Sequence, residues 1–162
     1  MRRTGTLLLV VMSMTILGCG SSADHSKAEN VKVVQVIFSE VWSKGNVDLI
    51  DELYAADFVG HFPGETFHGR EGIRSHVTAH RIAFPDWAEQ IEDTIAEKDR
   101  VVVRFRSSGT NLGEFLDRAP TGNRVEISEV AIFRLKDGKV VEQWVYPDML
   151  SMQRQLRGEG QT

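Results

Sequence analysis

Arg124-Val125-Glu126-Ile127-Ser128-Glu129-Val130-Ala131-Ile132-Phe133-Arg134-Leu135, then Lys136-Asp137-Gly138, then Lys139-Val140-Val141-Glu142-Gln143-Trp144-Val145-Tyr146, is the stretch that decides the fold. Two runs with a period of two flank Asp-Gly, the dipeptide that supplies the positive backbone angles of a tight hairpin. The last two long strands are therefore expected to pair antiparallel. Working backward, Trp87 to Ile95 and Arg100 to Ser108 have the same period, with turns expected at Lys98-Asp99 and at Pro120 to Asn123. Before Asp86 the period is helical. Val31, Val34, Ile37, Phe38, Val41 and Trp42 recur at three- and four-residue steps until Gly45-Asn46. Asn46 is expected to cap a second helix through Val47, Ile50, Leu53 and Tyr54. A short strand from Asp57 to Phe62 then runs into a Pro63-Gly64 turn, and a third helix spans Gly69 to Phe84, with Pro85-Asp86 ending it. Helices first and antiparallel strands after give an α+β domain with helices on one face of a sheet.

The start of the chain points to the cell envelope. Arg2 and Arg3 precede an apolar run from Leu7 to Leu17, too short for a membrane span and suited to a signal peptide. Ile16-Leu17-Gly18 stands before Cys19, the one cysteine, and this resembles a bacterial lipobox, in which the thiol is lipidated and the signal is cut in front of it. An ordinary signal with Cys19 incidental is the alternative. The expected division is a lipoprotein signal over 1–18, a flexible tether over 19–27 and one folded domain over 28–157. The expected location is the exported side of a bacterial envelope, lipid-anchored, with Gly20 tilting the reading toward an outer membrane. Loss of Arg2 and Arg3 makes the formal charge of −4 more negative by two, and no basic patch appears, which argues against a nucleic-acid partner. A single cysteine permits neither an internal disulfide nor a thiolate metal site.

Further segments carry a family resemblance: Phe84-Pro85-Asp86, Ile95 to Val102, Gly109-Thr110, Pro120-Thr121-Gly122, Asp137 to Val140, Trp144 with Asp148, and Gln155-Leu156. In this order and spacing they resemble the SnoaL-like polyketide cyclase and ester cyclase family of the nuclear transport factor two-like superfamily. The resemblance implies a cone-shaped α+β barrel, with N-terminal helices packed on a strongly curved antiparallel sheet that encloses an apolar pocket. It also implies cofactor-free chemistry in which an aspartate at the end of the last long strand serves as general acid/base in an intramolecular aldol closure; Asp148 is the matching position. Asn111 stands where a histidine often follows Gly-Thr.

Several residues are expected at the site. Trp144, Tyr146 and Asp148 alternate onto one face of the last strand, and two rings beside a carboxylate raise its pKa. Asp148 is equally an ordinary cap for a helix starting near Met149. Glu129 lies in an apolar row with Ile127, Ala131 and Phe133, which marks either a buried functional carboxylate or, with the register slipped, a surface charge. His61 is expected at the pocket mouth, Tyr54, Phe84 and Trp87 in the walls, and Asn111 among the ligand contacts. His76 and His80 share a helix face but lack a third ligand and the glutamate of the zinc hydrolase motif, so they read as helix-surface residues and no metal is expected. The functional expectation is a small-molecule pocket working by acid/base catalysis on a small apolar carbonyl compound, as an aldol-type cyclase or a related lyase, isomerase or hydrolase. The alternative is a non-catalytic carrier of a small hydrophobic ligand at the envelope. Apolar residues on both sheet faces, including Val103, Phe105, Val130 and Ile132, lead to an expected homodimer.

Overall fold

The computed structural model describes residues 22–159. The expected signal peptide and the lipid-bearing Cys19 lie outside the described residues. The first helix, α1 (Ser22–Val36), starts earlier than the expected tether allows, since Ala, Lys and Glu between Ser22 and Asn30 are good helix formers with no glycine or proline among them. It continues as a π-helical segment, Ile37–Trp42, which buries Ile37, Phe38, Val41 and Trp42 together. Gly45, at φ 72°, turns the chain. Asn46 makes no side-chain capping bond, and the second helix is reduced to a single 3-10 turn, Val47–Leu49, followed by α2 (Ile50–Leu53).

A six-stranded sheet follows: β1 (Tyr54–Phe62), β2 (Glu65–His68), β3 (Ala88–Glu97), β4 (Arg100–Thr110), β5 (Arg124–Lys136) and β6 (Lys139–Pro147). Helix α3 (Gly69–Ala83) joins β2 to β3, and α4 (Met149–Leu156) follows β6. The strand order is β2-β1-β6-β5-β4-β3. Four pairs are antiparallel, but β1 lies parallel to β6, so the sheet is mixed where an antiparallel one was expected. Asp137 and Gly138 both have positive φ, 51° and 74°, which is the backbone of the expected tight hairpin. Register shifts in β1, β3 and β5 give the sheet the local bends that let it curl around the helices.

The helices cover one sheet face. The core runs from Val34, Ile37 and Val41 across Tyr54 and Phe58 to Val101, Val103, Phe133 and Val140, all under 2 % exposed. A second buried cluster, Ala83, Phe84, Trp87, Val125, Ile127 and Met152, fills the end near α4. Of the apolar residues expected to leave both faces available for pairing, Val103 and Phe105 are buried, and Val130 and Ile132 are half-buried on the outer face. Among the described residues no helix is long and apolar enough to cross a membrane.

Candidate active site

Between sheet and helices lies a cavity of about 140 Å³. The π-helical segment supplies Phe38 and Trp42, α3 supplies His76 and His80, the chain entering β3 supplies Trp87, and the sheet supplies Glu89, Phe105, Ile127, Glu129 and Gln143. Pro63, Glu65 and Leu116 stand at its exposed rim. Phe38 closes the interior, edge-on to Phe105 at 4.7 Å between ring centres.

Strand parity explains why two glutamates enter an apolar chamber. Trp87, Glu89 and Ile91 alternate onto the inner side of the chain entering β3, and Ile127, Glu129, Ala131 and Phe133 onto the inner side of β5. Glu129 is opposite Phe105 on β4, and Glu89 is opposite Ser107. Trp87 Nε1 donates to Glu89 Oε1 at 3.2 Å. Glu89 Oε2, Glu129 Oε1, Ser107 Oγ, Gln143 Oε1 and His80 Nε2 are shut off from solvent without a hydrogen-bond partner of good geometry. So many orphaned polar atoms around one chamber are costly unless something meets them.

The electrostatics follow from burial. Burial pushes the Glu129 carboxyl up to about 7, and the nearby Ser107 hydroxyl offsets only part of that. Glu89 is held well above the usual carboxylate range by burial and then by the charge of Glu129, against the Trp87 donor. Both carboxyls favour the protonated form, and Glu129 titrates near neutral pH, so one chamber holds two groups able to give and take a proton. His80, edge-on to Trp87 at 4.4 Å and stacked on Phe84 at 5.1 Å, is pushed down to about 3 by burial, with His76 and Arg81 adding to the effect. His76, packed against Phe62 and Phe67, is pushed down to about 4 by burial. Both imidazoles are neutral at physiological pH. They face the cavity, which corrects their reading as surface residues.

The structure places the expected site residues unevenly. Glu129 and Trp87 line the cavity. Tyr54 is fully buried; its unpartnered hydroxyl is raised in pKa by burial and then by the Glu89 charge. Phe84 stands behind the wall, packed on Trp87 and Phe115. Asn111 is a clamp rather than a ligand contact. Its Nδ2 donates to the Gly113 carbonyl, and its Oδ1 accepts from Thr121, which pins the loop carrying Phe115 and Leu116. His61 is not at the mouth; it pairs with Glu142 at 3.0 Å and stacks on Trp144 at 5.3 Å on the outer sheet face.

Trp144 and Tyr146 also lie on that outer face, Trp144 beneath the Arg100 guanidinium and Tyr146 60 % exposed. The alternation in β6 is as expected, but the buried side is that of Gln143 and Val145. Asp148 is therefore exposed and sits outside the cavity, where its Oδ1 accepts from the Ser151 amide at 2.9 Å and caps α4. The geometry gives it the capping role and not the expected place beside the pocket rings. Asp148→Ala is expected to cost about 1 kcal/mol in a denaturant melt, and Asp148→Asn close to nothing, because asparagine caps equally well.

Glu89, Gln143 and Trp42 were not singled out from sequence. Glu89 carries the same signal that singled out Glu129, a carboxylate in an apolar row with Trp87 and Ile91. Among the described residues no group of three or more His, Cys, Asp or Glu side chains is arranged to hold a metal.

Comparison with known proteins agrees with this fold. A SnoaL-like polyketide cyclase provisionally assigned in Jannaschia sp. CCS1 superposes with a TM-score of 0.77 at 28 % identity, covering 84 % of this chain and 94 % of that one. AclR of Streptomyces galilaeus, provisionally assigned as a hydroxylase, gives 0.72 at 27 % identity over 82 % and 98 % of the two chains. IdmH of Streptomyces antibioticus, provisionally assigned as a polyketide cyclase, gives 0.69 at 28 % identity over 79 % and 98 %. No curated protein matches significantly. The sequence profile of the SnoaL-like polyketide cyclases matches residues 32–156, from the middle of α1 to the end of α4, and so takes in every element that builds the cavity. The chain belongs to the SnoaL-like polyketide cyclase family and has its α+β cone fold of the nuclear transport factor two-like superfamily.

Proposed function

We propose that the cavity binds a small, largely apolar carbonyl compound and that Glu129 and Glu89 move a proton on it, as in aldol-type ring closure or a related enolisation. The observation that carries this reading is the pair of buried carboxyl groups whose unpartnered oxygens, Glu129 Oε1 and Glu89 Oε2, belong to an apolar cavity. Ionised Glu129 removes a proton from the carbon beside the carbonyl, and protonated Glu89 donates a hydrogen bond to the carbonyl oxygen as charge develops there. The resulting carbon nucleophile adds to a second carbonyl, and the alkoxide formed recovers the proton from Glu129. These transfers call on no cofactor. Membership of the SnoaL-like polyketide cyclase family supports the reaction class.

A second reading, a carrier of a small hydrophobic molecule, is favoured by the predominantly apolar wall. Exchange of solvent deuterium into the methyl group of acetophenone separates the two. Catalysed exchange that Glu129→Gln abolishes is the expected result, whereas binding of acetophenone without exchange assigns the carrier role.

We also propose that residues 1–18 direct export and that Cys19 bears a lipid, placing the pocket domain at the cell envelope. Cys19→Ala is expected to leave the membrane fraction at precursor mass. A variant that stays with the membrane at mature mass counts against it.

A further inference from the structure

The residues lining the cavity include three carboxylates, Glu65 at the rim and Glu89 and Glu129 inside, and neither lysine nor arginine. Arg81 of α3 lies outside the lining, its guanidinium donating to the carbonyls of Ser43, Pro85 and Trp87, and the titratable groups that face the inner pair carry no positive charge near neutral pH. His76 and His80 from α3 are neutral, and the Tyr54 hydroxyl from β1 keeps its proton in the field of Glu89. β4 brings Ser107 and β6 brings Gln143, both uncharged. Glu129 is 8 % exposed, and the Ser107 hydroxyl lies near its carboxyl, with Oε1 lacking a hydrogen bond of good geometry. An ionised carboxylate in such a place needs a counter-charge, and among the described residues the wall holds none. The rings of Trp42, Trp87, Phe105 and Phe115 surround the space, and aromatic faces attract cations most strongly where water is excluded.

We infer that the missing counter-charge arrives with the ligand: the cavity takes a compact carbonyl compound that bears a protonated amine, its ammonium held between the ionised member of the Glu89–Glu129 pair and the aromatic wall. This rests on the reading of the cavity as the substrate site and narrows the substrate class. Carboxylate and phosphate ligands are excluded, because they would place a second anion beside the pair. When an ammonium binds the pair in its fully protonated form, one proton leaves to solvent. Amine binding therefore tightens as pH rises through the ionisation of Glu129, whereas a neutral carbonyl acceptor, held by the protonated form, binds more weakly over the same range.

Benzylamine, benzyl alcohol and benzoate, one ring with three charges, test this against the purified protein by quenching of Trp42 and Trp87 fluorescence at about pH 6 and about pH 8. At the higher pH benzylamine is expected to bind about tenfold or more tighter than benzyl alcohol, with benzoate weakest. The preference shrinks at the lower pH, and Glu129→Gln erases it. Glu89→Gln provides a second variant, and neither substitution removes an interaction that holds the fold. Benzyl alcohol matching benzylamine at the higher pH, or an amine preference surviving both substitutions, overturns the amine inference alone. Failure of all three probes to bind overturns the cavity as a ligand site as well.

Discussion

Replacing Glu129 with glutamine raises the stability of the fold at neutral pH by about 3 kcal/mol and abolishes turnover in the same molecule. The sign follows from the direction of the shift. A folded carboxyl at about 7 against an ordinary 4.5 keeps its proton where the unfolded chain has lost it. Its stability contribution is complete below about pH 4.5, falls as pH rises toward 7, and stays low beyond. Glutamine keeps the shape and removes the titration, so the gain is expected above pH 7 and is absent at pH 4. For a domain of this size the gain corresponds to roughly 10 °C in melting temperature. Thermal melts of the two proteins across this range check it; a glutamine variant less stable at pH 7 means that the carboxylate is held by partners the structure does not contain.

The histidines tilt stability the other way. His76 at about 4 and His80 at about 3 stay neutral in the fold while the unfolded chain protonates them near 6.5. Their contribution is complete above pH 6.5 and is lost as pH falls toward their folded values, on the order of 3 kcal/mol for His76 and about 5 kcal/mol for His80. Between pH 4.5 and 6.5 the Glu129 slope offsets about one of the two histidine slopes, and Glu89, raised in the same direction, offsets more, so stability is expected to change gently there. Below pH 4.5 only the histidine slope remains, and the protein unfolds in acid. His80→Phe keeps an aromatic ring in the Trp87–Phe84 packing and is expected to shift the acid midpoint downward, whereas Glu129→Gln exposes the histidine slope and makes stability fall from pH 6.5. Equal acid midpoints for the wild type and His80→Phe would contradict the buried, neutral imidazole.

Much of the fold was legible because local signals agreed with one another. Asp137-Gly138 between two period-two runs admits one solution, and the backbone angles there have the required sign. The parallel pairing of β1 with β6 was not legible, since it joins segments about eighty residues apart and no turn chemistry announces it. In the site, Glu129 was found because its row is otherwise apolar. On β6, ring size is no guide to burial. Trp144 covers the outer face between His61 and Arg100, while the smaller Val145 and the polar Gln143 point inward. Asp148 inherits the same inversion. The histidines were assigned to solvent by their polarity, but on α3 their i,i+4 spacing places both on the side that meets Trp42 and Phe62.

The central claim is that two buried carboxyl groups in the cavity hold their protons above the range where surface carboxylates ionise. Infrared spectroscopy of the carboxylic acid carbonyl stretch, followed through a pH titration of the wild type, Glu129→Gln and Glu89→Gln, measures this directly. Two protonated carboxyl bands are expected to survive above the range where surface carboxylates ionise. One, absent in Glu129→Gln, disappears near pH 7; the other is absent in Glu89→Gln. Complete ionisation of every carboxyl group by about pH 5.5 would contradict the account.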